Sequence, residues 1–182
     1  MEHYVRAVVR YPDGRVLDTG YRRVNTLVRN FYALLATQMS QESGVYTATR
    51  GDGTTFYTGV DNSNFAANGA EGDDELGIVV GTGTTSPTRL DYALESKITH
   101  GTGAGQLYYG ACSFDHGDDW VEVRRSFDNY SGADITINEV GLRAKIYDRN
   151  ASTERRCLIA RALYTITVPD GGSVTLYYRI SG

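Results

Sequence analysis

The fold is decided by residues 135–147, which read Ile135-Thr136-Ile137-Asn138-Glu139-Val140-Gly141-Leu142-Arg143-Ala144-Lys145-Ile146-Tyr147. Apolar and polar residues alternate with a period of two, which is typical of a β-strand with one buried face. The apolar set changes phase, because Ile135 and Ile137 occupy odd positions whereas the apolar residues from Val140 onward occupy even ones. A β-bulge near Asn138-Glu139 restores a single buried face. The stretch therefore predicts a long, bulged strand.

The same period recurs on both sides of this strand. Turn-forming residues at Pro12-Asp13-Gly14 and at 50–54 predict two hairpins, over residues 3–18 and 45–58. Leu76–Val80 is wholly apolar, as in a strand buried on both faces. Later candidate strands are Gln106–Phe114, Trp120–Phe127, Cys157–Tyr164 and Ser173–Ile180. Regularly spaced strands of this kind predict an all-β antiparallel sandwich, and we expect a jelly-roll-like one.

One amphipathic helix is predicted near residues 26–40. Five apolar residues fall at helical spacing, namely Leu27, Phe31, Leu34, Leu35 and Met39. Asn25 or Thr26 is the candidate N-cap. A single apolar stripe on a single helix implies that the helix packs against a sheet.

The length of 182 residues fits one domain, and we expect residues 1–182 to form it. The composition includes 14 Tyr and 21 Gly, which favours strands and turns over disorder. No apolar run approaches the ~20 residues that cross a bilayer. Residues 1–6 lack the basic leader and apolar core of a signal peptide, so we expect the protein to be made and kept in the cytoplasm or released by lysis.

Charge is distributed unevenly along the chain. Residues 1–50 carry +3 (7 Lys and Arg against 4 Asp and Glu), whereas residues 51–119 carry −9 (2 against 11). A pI near 5.3 argues against nucleic-acid binding, which favours a concentrated basic face. The asymmetry has two interpretations, head-to-tail contact between copies and solvated loops of either sign.

The best candidate for a metal site is Asp115-His116-Gly117-Asp118-Asp119, which gathers three carboxylates and an imidazole. It lacks the ligand spacing and distal glutamate of an EF-hand loop, so a solvated hairpin tip before Trp120 is the favoured interpretation. Nothing around the three histidines suggests a catalytic arrangement. We therefore expect no metal, no cofactor and no enzymatic activity.

Two cysteines and two tyrosine pairs complete the candidates. Cys112 and Cys157 are too few for a disulfide framework, and we expect both to be buried free thiols in strands. The pairs Tyr108-Tyr109 and Tyr177-Tyr178 place one ring on each sheet face, so one ring of each pair should be exposed unless covered. Such rings suit a protein interface, a sugar-binding face, or simple shielding of the sheet.

Residues 76–98 combine an apolar strand, the turn Gly81-Thr82-Gly83-Thr84-Thr85, a proline and an Ala-Leu-Glu segment. Together with Asn129–Leu142, Leu158–Arg161 and Thr167–Val174, this stretch resembles a pattern in structural proteins of tailed bacteriophages. The motifs are structural rather than catalytic, and the loop Asp61–Glu75 and the N-terminal hairpin lie outside them.

The resemblance implies a virion component that is assembled in the host cytoplasm. Capsid decoration by symmetric assembly is the first interpretation, with other virion proteins as partners and a homo-oligomer, such as a trimer, as the unit. The alternatives are a tail or baseplate accessory protein and a carbohydrate-binding module. No membrane or nucleic acid is expected as a partner.

Overall fold

The computed structural model describes residues 2–24 and 26–181, which form one helix and twelve strands. The strands are β1 (Glu2–Arg10), β2 (Val16–Asp18), β3 (Arg22–Val24), β4 (Thr47–Thr49), β5 (Thr55–Tyr57), β6 (Gly77–Gly81), β7 (Tyr108–Tyr109), β8 (Ser113–His116), β9 (Trp120–Asp128), β10 (Ile135–Asp148), β11 (Thr153–Val168) and β12 (Ser173–Ser181). The helix is α1 (Arg29–Ser40). All paired strands are antiparallel, which confirms the predicted all-β sandwich with one packed helix.

The larger sheet has the order β2-β1-β12-β9-β7, with β3 also paired to β1 and β8 to β9. The predicted N-terminal hairpin is confirmed by the pairing of β1 with β2. The inner face is built by alternate residues, because successive side chains in a strand point to opposite faces. Those of the two central strands are Val5, Ala7 and Val9 of β1 and Val174, Leu176 and Tyr178 of β12. This strand order does not confirm the jelly-roll form of the prediction.

The smaller sheet has the order β11-β10-β6. The register of β10 with β11 shifts between Ile137 and Glu139, which confirms the bulge predicted from the change of phase. The bulge turns Val140 and Leu142 into the core and leaves Glu139 and Gly141 on the outer face. Every residue of β6 is buried, as the wholly apolar sequence predicted.

The helix begins later than predicted. Leu27 forms a β-bridge with Ala160, and the Val28 N–H donates to the Ile159 carbonyl, so this segment pairs with the edge of β11. The N-cap position is held by Val28, which has no capping side chain, so Thr26 does not cap the helix, and Asn25 lies outside the described residues. The first turn of a helix leaves backbone N–H groups without an acceptor inside the helix. The open edge of a strand offers carbonyl groups that can accept such hydrogen bonds.

Two further strand predictions need correction. The predicted strand Gln106–Phe114 is two short strands, β7 and β8, with a break in which the Gly110 N–H donates to the Ser126 carbonyl. Cys112 lies in this break and is half-buried, so it is not in a strand, whereas Cys157 is buried in β11. Burial raises the pKa of the Cys157 thiol to about 12. A two-residue strand is too short for periodicity to reveal.

The end of the long loop Asp61–Glu75 is held by a buried arginine. Arg125 is 1% exposed, and its guanidinium donates to five backbone carbonyls, those of Ala70, Asp73, Leu76, Ile78 and Gly110. Burial lowers the pKa of Arg125, although the nearby carboxylates of Asp73 and Asp74 favour its charge. The loop is therefore fixed to the larger sheet through β9.

Replacing Arg125 by Met should lower the free energy of unfolding by about 3 kcal/mol or more, because buried carbonyls lose their donor. The matched control is Arg156→Gln, which removes a half-exposed guanidinium 3.0 Å from the carboxylate of Asp73 in the same loop. That surface pair should contribute less than about 1 kcal/mol. Urea denaturation of both variants measures the difference, and equal losses would contradict the role given to Arg125.

Candidate functional site

Residues 82–96 cover the outer face of the smaller sheet. The Leu94 side chain lies over β10, because a Cβ built on Gly141 would be 2.9 Å from Leu94 Cδ2. At the far side of the sheet, Asp91 pairs with Arg161 of β11, and the Arg89 carbonyl accepts the N–H of Arg29 at the start of α1. We call residues 82–96 the cover segment. They explain why β6 is buried on both faces.

Glu139 fixes both ends of the cover segment. Its side chain is fully buried, and its carboxylate accepts the backbone N–H groups of Gly83 at 3.2 Å, Glu95 at 3.1 Å and Ser96 at 2.8 Å. A buried carboxylate is costly unless it is both paired and hydrogen-bonded. These three donors supply the hydrogen bonds, and they bring residues 83 and 95–96 to one point.

The glycines of the turn Gly81-Thr82-Gly83 are required by this carboxylate. A Cβ built on Gly81 would collide with Glu139 Oε1, and one built on Gly83 would lie 2.5 Å from the same atom. The turn is therefore glycine-rich because it closes over a carboxylate of its own chain, which gives it a structural rather than a phosphate-binding role.

Arg161 neutralises the buried carboxylate. Its side chain is 4% exposed; Nε donates to Glu139 Oε2 at 2.8 Å, and Nη1 pairs with Asp91 Oδ2 at 2.7 Å. Burial opposes the charge on both Asp91 and Arg161, but the ion pair outweighs burial. The pKa of Asp91 is consequently lowered and that of Arg161 raised. The pair attaches the middle of the cover segment to β11.

The covered face leaves large apolar side chains in solvent. Leu90 and Tyr92 of the cover segment are 74% and 41% exposed, and Tyr32 and Met39 on the outer side of α1 are 48% and 76% exposed. The Arg89 guanidinium lies 6.0 Å from the Tyr32 ring, which joins the segment to the helix. We call these four residues the helix–loop patch. Large exposed apolar side chains on neighbouring elements are candidates for an interaction surface.

A second exposed apolar pair lies at the β8–β9 hairpin. Phe114 and Val121 are 50% and 46% exposed, although both share the face of the larger sheet that carries buried Val123. The hairpin tip carries the exposed acids Asp115, Asp118 and Asp119. We call Phe114, Val121 and this acidic tip the hairpin patch.

The four candidate metal ligands lie at the hairpin patch but are not brought together around one point. The backbone N–H of His116 and the paired Arg124 guanidinium lower the pKa of Asp115, and His116, Asp118 and Asp119 are exposed. Across residues 2–24 and 26–181, no three His, Cys, Asp or Glu side chains are grouped as a metal ion needs. These four side chains are spread over an exposed hairpin tip.

Each tyrosine pair has one buried ring, as predicted, because Tyr109 and Tyr178 are buried. Their neighbours are half-buried rather than open. The Tyr177 ring lies 5.0 Å from the Arg6 guanidinium and 5.6 Å from that of Arg124, and Tyr108 contacts His100 and Tyr130. These rings are engaged with their own chain and form no open row for a sugar.

Comparisons with protein-family models, with curated proteins and with solved structures found no match. In the described part of the chain, no helix has the length and apolar character of a membrane span.

Sequence periodicity does not identify Glu139 and Arg161 as site residues. Both lie at positions where periodicity predicts solvent-facing residues, and a charged side chain is expected at such a position. A signal was nevertheless present: the wholly apolar β6 requires its outer face to be covered, and charged residues on the neighbouring strands must then be buried and paired.

Replacing Gly83 by Ala should lower the free energy of unfolding by about 1–3 kcal/mol, the usual cost of forcing a methyl group into a filled site. The control is Gly51→Ala, where the new methyl group has no atom nearer than Arg143 Nη2 at 3.7 Å. The control should change stability by less than about 0.5 kcal/mol. Thermal and urea denaturation measure both, and an unaffected Gly83 variant would contradict the close approach of Glu139.

Proposed function

We propose that the chain is an assembly subunit of a tailed-phage virion, most simply a capsid decoration protein that acts by symmetric self-association. The resemblance that suggests this role lies in four segments, and three of them are now seen to form one unit. The cover segment, Glu139 in Asn129–Leu142 and Arg161 in Leu158–Arg161 meet at a single buried centre. The residues of this sequence pattern therefore make the contacts that hold the cover segment on the smaller sheet, and the cover segment carries part of the helix–loop patch.

The observation that carries the proposal is the complementarity of two exposed surfaces. The helix–loop patch is flanked by Arg29 and Arg89, both exposed, whereas the hairpin patch ends in Asp115, Asp118 and Asp119. Each combines large apolar side chains with exposed charges of mainly one sign, although Asp115 is paired with Arg124 of the same hairpin. Apolar burial supplies affinity, and opposite charge selects the partner surface and its register.

Contact between two different surfaces is heterologous, so each copy uses both of them at once. Such contacts close into a ring when the rotation between copies allows it. A trimer or a larger ring follows naturally, and a ring of small β-domains suits a symmetric capsid site. The proposal assigns no reaction to the chain, and its partners are further copies and other virion proteins.

The heterologous contact can be tested with two variants that each lose one surface. Leu90→Glu should abolish self-association through the helix–loop patch, and Phe114→Glu should abolish it through the hairpin patch. Each variant alone should be monomeric, because burying an unpaired carboxylate in an apolar contact is unfavourable. An equimolar mixture retains one intact pair of surfaces and should form a heterodimer, seen by sedimentation velocity or light scattering.

The control for these variants is Leu163→Glu, which places the same charge on an exposed leucine of β11 outside both patches and should leave the oligomer intact. A mixture that stays monomeric would contradict the heterologous contact, and a variant that still dimerises on its own would show that its remaining surface meets its own copy. A wild-type chain that stays monomeric at high concentration would contradict self-association altogether.

Labelling locates the subunit on a particle. Antibodies raised against the chain should decorate the capsid of intact virions produced by the genome that encodes it, as seen by immunogold electron microscopy. Gold confined to the tail or baseplate would replace capsid decoration with the tail-accessory interpretation. Particles without gold, with the chain also absent from purified virions by mass spectrometry, would contradict a virion role.

A further inference from the structure

A cavity of about 420 Å³ opens between the start of β1, the first turns of α1 and the beginning of the cover segment. Five of its eight lining residues are apolar or aromatic, and the other three, His3, Thr26 and Arg89, are polar. The residues that matter for its chemistry are His3, Leu27, Phe31, Tyr32, Leu35 and Arg89. This volume falls within the usual range of small-molecule pockets, about 300–1,000 Å³.

His3 is a buried imidazole without a protein partner. The residue is 5% exposed, and within residues 2–24 and 26–181 its buried Nδ1 has no hydrogen bond. The neighbouring Tyr178 hydroxyl is also buried and unpartnered, with the two rings 6.3 Å apart. Burial lowers the pKa of His3, so the ring is neutral near pH 7 and carries one N–H. The Nδ1 atom and the Tyr178 hydroxyl are shielded from solvent, so a ligand in the cavity reaches the His3 ring through Nε2.

Arg89 supplies a positive charge at the same cavity. Its side chain is exposed, and its one described contact is with the Tyr32 ring, 6.0 Å from the guanidinium carbon. A guanidinium that is not committed to a carboxylate of its own chain is suited to bind an external one, through two parallel N–H donors.

We propose that this cavity binds a small carboxylic acid with an apolar body. The carboxylate is bound by the Arg89 guanidinium and by the His3 N–H, and the apolar body packs against Leu27, Phe31 and Leu35. An aromatic or branched body of about ten heavy atoms matches a pocket of this size. The cavity adjoins the assembly surface, because Tyr32 belongs to both and Arg89 flanks the helix–loop patch, but its binding chemistry is argued without the assembly role.

The probe is 3-phenylpropionate, titrated into the isotopically labelled wild-type chain and followed by NMR. Saturable shifts are expected at Phe31, Leu35 and His3. The alcohol 3-phenylpropan-1-ol has the same body without the charge and should bind at least about tenfold more weakly, the effect of losing one charge-assisted contact. Propionate keeps the charge without the body and should be weaker still.

Arg89→Gln should weaken 3-phenylpropionate about tenfold and leave the alcohol unchanged, because it removes only the charge. The matched control is Arg29→Gln, a nearby exposed arginine of α1 outside the cavity wall, which should bind as the wild type does. Both variants alter exposed side chains, so both should fold. The proposal is overturned by an absence of saturable shifts, by equal binding of acid and alcohol, or by equal effects of the two substitutions.

Discussion

The structure depends on the need to neutralise one buried carboxylate. Glu139 sits on the outer face of β10 with no exposure, so its charge requires both a cation and donors. Arg161 provides the cation from the adjacent strand, and the cover segment provides three N–H groups. Removing any one of these partners leaves the others buried and incomplete. The sheet, the cation and the cover segment are therefore held together as a unit.

This unit determines where apolar side chains reach solvent. With its ends gathered at Glu139 and its middle paired through Asp91, the cover segment has no freedom to bury Leu90 or Tyr92 in the core. Exposure of 74% at Leu90 is thus imposed by the ion pairs beneath it. A rigid display of apolar residues loses little conformational entropy on association, which favours a contact surface. The buried charges and the proposed assembly surface are in this way physically linked.

Much of the fold could be predicted from local sequence, and the candidate site could not. The bulge at residues 137–139 follows from a phase change within one strand, and the first hairpin from a turn between two alternating segments. The predicted start of α1 was wrong because Leu27 pairs with Ala160, which lies 133 positions away along the chain. Helical spacing does not reveal such a partner. Glu139 and Gly83 are likewise 56 positions apart. Such contacts depend on which face of a sheet is covered by another part of the chain. Periodicity predicts that a strand has two faces, but not which segment covers them.

The segments on which the proposed likeness to phage structural proteins rests contact one another in the structure. A Gly-Thr-Gly turn and a Glu-Val-Gly-Leu strand could look related in many β-proteins if each were considered alone. Here the turn is glycine because the glutamate lies against it, and Gly141 is glycine because Leu94 and Leu158 occupy the space of its side chain. The two motifs constrain each other, so they should occur together or not at all. A chain that contains both has the means to build a covered sheet, and the function then depends on the side chains that the cover displays.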